Sequence, residues 1–195
     1  MRVKICGITT LEDARKTIAA GADALGFVFY DKSPRYIPAK TARSIISELP
    51  PFVEKVGLFV NEDAQTINAI AAISGITLIQ LHFDADDALC DALDLPYIKV
   101  IRAQSADDIN KNSDQYRLID AYCEAYGGMG KRLNLEWFDD VDCSKIILAG
   151  GLNPQNVTEC LSYGFYALDV SSGVESSKGV KDPQKVSAFI NAAKC

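Results

Sequence analysis

The sequence predicts an α/β protein, a single (β/α)8 TIM barrel spanning residues 1–195. Three observations carry this. Short apolar runs, rich in β-branched and aromatic residues, alternate with amphipathic stretches from end to end. The runs number eight, and their starts recur at roughly twenty- to thirty-residue intervals, which is the rhythm of strand and helix in a closed barrel. Side chains that cap helices stand where the amphipathic stretches begin.

The runs are VKIC from Val3, ALGFVFY from Ala24, KVGLFV from Lys55 and LIQLH from Leu78. They continue with YIKVIRA from Tyr97, YRLIDA from Tyr116, KIILAG from Lys145 and YALDVSS from Tyr166. After the first, Leu11, Ala14 and Ile18 share one helical face, and Thr10 with Asp13 form a capping-box pattern. After the second, Ala42, Ile45, Ile46 and Leu49 do the same. The segment after the fifth, QSADDINKNSDQ, is polar and weakly periodic, so a short or degenerate fifth helix is expected there. Asn153-Pro154 and Asp182-Pro183 each set a capping side chain before a proline at a first helical position. The last stretch places Val186, Phe189, Ile190 and Ala193 on one face. A doubly wound open sheet is the alternative architecture. No linker or low-complexity tract interrupts the pattern.

Composition narrows the function. The net charge of −6 disfavours nucleic acid and anionic membrane as partners, so any anionic ligand must be held by local devices. The longest apolar stretch, ALGFVFY, is far too short for a membrane span. Arg2 and Lys4 near the start are followed by no apolar run long enough for a signal sequence, so a cytoplasmic, free-standing protein is expected. Six cysteines without a CxxC pair, and one histidine, His82, give little support for a zinc site or a redox pair. They read as free thiols in a reducing compartment.

In a barrel, function sits at the carboxyl ends of the strands. The polar residues there are Cys6, His82, Asp120 and Asp169, with Arg35 in the loop after the second strand. Successive strand side chains face opposite ways. If Val3, Ile5, Ile79, Leu81, Ile119, Leu168 and Val170 face the helices, then Lys4, Cys6, Gln80, His82, Asp120 and Asp169 face the barrel interior. One parity rule thus aims four candidates at one mouth. Asp169 has a simpler role available as the partner of Lys4. Glycine-rich loops follow the sixth strand (GGMG, residues 127–130), the seventh (AGGLN) and the eighth (SSG), and glycine lets a backbone approach a phosphate. GGMGK is not a Walker A loop, because Ala125 stands in place of the first glycine and Arg132 in place of Ser/Thr.

The stretches VKICGIT, GADALGFVFYDKSPRYI, FVNE, IQLH, LIDA…GGMGK, ILAGGLNPQNV and DVSSGVESSKGVKD, in this order, resemble the phosphoribosylanthranilate isomerases of tryptophan biosynthesis. The resemblance implies a lean (β/α)8 barrel and an Amadori rearrangement. N-(5′-phosphoribosyl)anthranilate would become 1-(2-carboxyphenylamino)-1-deoxyribulose 5-phosphate. It implies Cys6 as general base and Asp120 as general acid. Arg35 would hold the anthranilate carboxylate, and His82 and Asp169 would line the substrate. Gly150, Gly151, Ser171 and Ser172 would bind its phosphate. It implies a small phosphosugar substrate, no metal or organic cofactor, and a monomer or homodimer. The alternatives are another sugar-phosphate isomerase or epimerase, a catalytically inactive phosphosugar-binding barrel, and a redox role for Cys6. Two departures from the family pattern stand out. Phe83 follows His82 where the family usually has glycine, and is expected to narrow the loop or shift His82. GGMGKRLNLEWF is one residue longer before Trp137 than usual, which bears on the sixth loop.

Overall fold

Eight parallel strands close on themselves, each hydrogen-bonded to its sequence neighbours and the last to the first, in the computed structural model of the protein, which describes residues 1–121 and 132–194. The strands are β1 (Arg2–Cys6), β2 (Ala24–Val28), β3 (Glu54–Phe59), β4 (Leu78–Leu81), β5 (Tyr97–Ala103), β6 (Arg117–Ala121), β7 (Ile146–Leu148) and β8 (Ala167–Val170). The closure excludes the open-sheet alternative.

Parity sorts the buried side chains into two clusters. Val3, Ile5, Ile79, Leu81, Ile119, Leu168 and Val170 belong to the large outer core between strands and helices. Ile98, Val100, Leu118, Ile147, Ala149 and Ala167 form a separate apolar plug inside the barrel. That plug fills the interior, so the polar inward residues nearer the strand ends stand above a dry floor.

The outer layer is uneven. Full helices cover the first strands: α1 (Leu11–Ala19), α2 (Ala39–Ile46) and α3 (Ala64–Ser74). The cover after β4 is the five-residue α4 (Asp87–Asp91). After β5 the expected degenerate segment is a 3-10 turn at Ala106–Asn110. It is held by one apolar anchor, the fully buried Ile109, and by Arg117, whose Nη2 donates to the Ile109 carbonyl at 2.9 Å. The thinning goes further than the sequence suggested, since Leu135–Phe138 and Val157–Tyr163 are also 3-10. Asn153 does accept N–H bonds from Gln155 and Asn156, but the turn that follows never becomes an α-helix. Full helix returns with α5 (Pro183–Lys194), capped by Asp182, whose Oδ1 accepts from Gln184 and Lys185. Its four predicted apolar positions are all buried.

Between β8 and α5 the chain makes a small antiparallel hairpin, β9 (Glu175–Ser177) with β10 (Val180–Lys181). Thr9 Oγ1 donates to the Gly179 carbonyl at 2.8 Å, and the Lys181 N–H donates to Asp13 Oδ2 at 3.3 Å. The second bond explains why the predicted capping box is half formed. Thr10 Oγ1 accepts from the Asp13 N–H at 3.1 Å, while the Asp13 carboxylate is turned to the hairpin.

Candidate active site

Cys6 ends β1 with its side chain buried in the barrel mouth. Its strand neighbour in register is Gly26, and a Cβ there would lie 2.7 Å from Cys6 Sγ. The glycine is what gives the thiol room. Gly7 then takes φ +81°, and a Cβ on it would meet Arg35 Cδ at 2.5 Å. The turn after β1 is therefore shaped to let the Arg35 chain lie across it.

Beneath the thiol, Lys4 Nζ donates to Asp169 Oδ2 at 2.9 Å, with both side chains buried. Burial pushes the Cys6 thiol above its usual range. The ammonium of Lys4, and less strongly that of Lys181, pull the other way, while Asp169 adds to the rise. Lys4 thus favours the thiolate without overcoming burial.

Asp120 sits on the opposite arc. Burial pushes its carboxyl up to about 6, the charge of Asp169 adds to this, and an N–H bond from Ala121, with Lys4 and Arg102, restrains it. Gly150, at φ +90°, leaves the space. A Cβ there would be 2.9 Å from Asp120 Oδ1. His82 Nε2 is 3.7 Å from Asp120 Oδ2, beyond hydrogen-bond length. Burial, then Arg102 and Lys4, push the His82 imidazolium down to about 4. The imidazole is neutral at pH 7, so a proton shared between the two rests on the carboxyl. Phe83 is buried and packs with the outer core cluster.

Arg35 is buried and engaged side-on by Glu175, with Nε to Oε1 at 2.7 Å and Nη2 to Oε2 at 2.8 Å. Lys181 Nζ meets the same Oε1 at 2.9 Å and the Ser171 carbonyl at 3.3 Å. For the loops after β7 and β8, Gly151 has φ +63° and its carbonyl accepts from Asn156 Nδ2 at 3.0 Å. A Cβ on Gly173 would fall 1.9 Å from the Leu152 carbonyl oxygen, so the two loops touch backbone to backbone there. Ser171 Oγ and Asp169 Oδ1 are buried with no hydrogen-bond partner among the described residues. Such groups cost stability unless something else satisfies them. Ser172 opens the short 3-10 turn that follows β8. The GGMG loop at 127–130 lies outside the described residues, as does the lengthened stretch GGMGKRLNLEWF up to residue 131.

The structure thus brings Cys6, Asp120, His82 and Asp169 to one mouth, with Arg35 at its rim. Sequence reasoning missed three residues. Arg102 on β5 shares the inward parity of Ile98 and Val100, and pairs in register with Asp120, so parity alone would have found it. Glu175 and Lys181 carried no such signal. Among the described residues no group of three His, Cys, Asp or Glu is placed to hold a metal ion.

A closed parallel barrel with a buried thiol and a carboxyl above its usual range at the strand ends is the framework of a barrel enzyme of acid–base chemistry. The family model for N-(5′phosphoribosyl)anthranilate (PRA) isomerase matches residues 3–192. The N-(5′-phosphoribosyl)anthranilate isomerase of Sulfurovum sp. (strain NBC37-1) is 63% identical over 194 residues, covering 100% of this chain and 99% of that protein. The crystal structure of phosphoribosyl anthranilate isomerase from Thermotoga maritima superposes with a TM-score of 0.91 at 40% identity, covering 100% of this chain and 98% of that one. That from Thermus thermophilus gives 0.90 at 35% identity, covering 98% of each chain. A phosphoribosyl anthranilate isomerase in complex with reduced 1-(o-carboxyphenylamino)-1-deoxyribulose 5-phosphate gives 0.85 at 40% identity, covering 100% of this chain and 98% of that one. The chain belongs to the N-(5′-phosphoribosyl)anthranilate isomerase family.

Proposed function

We propose that this chain converts N-(5′-phosphoribosyl)anthranilate to 1-(2-carboxyphenylamino)-1-deoxyribulose 5-phosphate in tryptophan biosynthesis, with Asp120 as general acid and Cys6 as general base. The observation that carries the roles is the pairing of a buried carboxyl at about 6 with a buried thiol, both within the field of the same Lys4–Asp169 pair. Protonated Asp120 gives its proton to the furanose ring oxygen. The C1′–O4′ bond breaks, and the nitrogen lone pair forms the iminium. Thiolate Cys6 then takes the C2′ proton, and the C–H electrons run into the iminium to give an enolamine. Loss of the O2′ proton and protonation at C1′ give the ketone. The iminium is the electron sink, so the residues named suffice for the proton transfers.

Arg35 holds the substrate carboxylate through the guanidinium edge that Glu175 leaves open. His82 and Asp169 line the sugar. Gly150, Gly151, Ser171 and Ser172 cradle the phosphate, where the unsatisfied Ser171 hydroxyl would gain a partner. The chain works as one barrel domain in the cytoplasm, a reading supported by buried free thiols at Cys6, Cys90, Cys143 and Cys160. Among the described residues no helix is long and apolar enough to cross a membrane.

For assembly, a solved structure of monomers generated from the dimeric Thermotoga maritima enzyme is similar at 38% identity and a TM-score of 0.84, covering 100% of this chain and 98% of that one. We read this chain as a homodimer through the amino-terminal end of its barrel. Phe52 there is 98% exposed beside a cavity of about 560 Å³ lined by Ile98, Ile147 and Ala167. A knob and a hole on one face suit a two-fold contact between copies. Phe52→Glu should shift the mass in light scattering from dimer to monomer; a wild-type monomer would overturn it.

The roles are tested by fluorescence assay of phosphoribosylanthranilate loss. Cys6→Ala and Asp120→Asn should each lower kcat by roughly 10²- to 10⁴-fold. Near-normal turnover in either would remove that residue from its role.

A further inference from the structure

Arg35 presents a difficulty for a carboxylate-binding residue: it already has a carboxylate. Glu175 engages it by two short hydrogen bonds, and an isolated pair of this kind carries no net charge with which to attract another anion. Lys181 changes the sum. Its ammonium lies 2.9 Å from the same Glu175 oxygen that accepts from Arg35 Nε, and it is itself only 3% exposed. These three side chains thus run cation, anion, cation, with one net positive charge among them, buried where water screens little.

The geometry also fixes where that charge is presented. Glu175 occupies Nε and one N–H of Nη2, which leaves the Nη1 edge of the guanidinium for a second planar anion. Lys181 is held too firmly to take that place. Its Nζ is engaged by Glu175 and by the Ser171 carbonyl, and its backbone N–H by Asp13. The hairpin bearing both residues is pinned by Thr9 at its turn and by Lys185, whose Nζ donates to the Glu175 carbonyl at 2.8 Å. Glu175 thus orients Arg35, and Lys181 neutralises Glu175.

Resting on the assignment of Arg35 to the substrate carboxylate, we propose that Glu175 and Lys181 are positioning residues. Glu175 aims the guanidinium, and Lys181 supplies the second cation that keeps the cluster positive and so selective for a carboxylate-bearing aglycone. Neither touches the reacting atoms. Lys181→Met should therefore raise KM roughly ten- to thirtyfold with kcat within about threefold, the effect of one unit charge lost near a poorly screened anion.

The test uses two probes on the full chain: reduced 1-(o-carboxyphenylamino)-1-deoxyribulose 5-phosphate and its carboxamide counterpart, both titrated by fluorescence. Lys181→Met should weaken the carboxylate ligand and leave the carboxamide unchanged. Lys181→Arg should restore the difference. The double variant Glu175→Gln with Lys181→Met removes one charge of each sign, leaves the Arg35 guanidinium as the single net cation with the introduced amide oxygen still able to accept from it, and should keep carboxylate affinity within about threefold of wild type. Equal loss for both probes in Lys181→Met would show a structural role only and overturn the proposal, as would a double variant no better than Lys181→Met. If wild type itself binds the two probes equally, the assignment of Arg35 fails. If wild type discriminates and Lys181→Met discriminates as strongly, Arg35 stands and the charge-balancing role of Lys181 falls.

Discussion

On one side of the mouth Glu175 is bracketed by Arg35 and Lys181 at 2.7 and 2.9 Å, while on the other Asp120 faces the His82 imidazole across 3.7 Å. Both carboxylates are drawn out of water, and burial alone would raise both. For Glu175 the Arg35 hydrogen bonds and the Lys181 charge overturn that, and its carboxyl is held below the usual range. For Asp120 they do not, and it rises to about 6. The difference separates two kinds of work. A group that must hold a fixed charge is surrounded by counter-charge. A group proposed to pass a proton near neutral pH is left partly uncompensated.

The largest effect should come from abolishing that uncompensated carboxyl. On the proposed roles the active form has Asp120 protonated and Cys6 ionised, yet the carboxyl at about 6 titrates below the thiol, which burial pushes above its usual range of about 8.5. Below about 6, kcat should rise with pH as the thiolate fraction grows. Above about 6 that growth is cancelled by loss of the acid's proton, so the profile is flat until the thiol itself titrates. Asp120→Asn should lose roughly 10²- to 10⁴-fold at pH 7. Its residual rate should climb with pH through the range where wild type is flat. An unchanged plateau in the variant would place the acid elsewhere.

A smaller loss should follow from moving the carboxyl without removing it. Gly150→Ala places a methyl 2.9 Å from Asp120 Oδ1 and forces a side chain into φ +90°. The backbone strain should cost about 1–3 kcal/mol in denaturant unfolding, and displacement of the acid should lower kcat on the order of 10-fold to 100-fold. On the compensated side, Arg35→Lys keeps the charge and loses the fork. It should act on KM rather than kcat, by roughly tenfold. A kcat loss in Arg35→Lys as large as that in Gly150→Ala would blur the two sides.

The uncompensated side was largely legible in the sequence, and the compensated side was not. Alternation along VKIC, LIQLH, LID and ALDV depends only on local pleat, so the order of residues alone aims Cys6, His82, Asp120 and Asp169 inward. The same rule reaches Arg102. Glu175 and Lys181 sit in a hairpin of three- and two-residue strands, too short for any period to show. Their importance comes from the contact of Glu175 with Arg35 across 140 positions, which no local pattern encodes. The thin second half of the helical layer had a similar fate. Its 3-10 turns are held by single anchors such as Ile109 and Arg117, not by an amphipathic stripe.

Thr9 and Thr10, adjacent at the start of α1, give the finest version of the same contrast. Thr10 caps the helix through the Asp13 N–H and touches neither side of the mouth. Thr9 ties the turn of the Glu175–Lys181 hairpin through the Gly179 carbonyl. Thr10→Ala should cost about 1 kcal/mol, a Tm drop of roughly 2–4 °C for a chain this size, with KM and kcat unchanged. Thr9→Val keeps the shape and removes only the hydroxyl bond, so its thermal effect should be no larger. It also frees the hairpin that aims Arg35. A rise in KM of about two- to fivefold in Thr9→Val, absent in Thr10→Ala, would show that the clamp depends on its hairpin being pinned, because the two changes differ only in which element loses its tie. Equal KM values would mean that Lys185, Asp13 and the Arg35 fork hold Glu175 in place unaided.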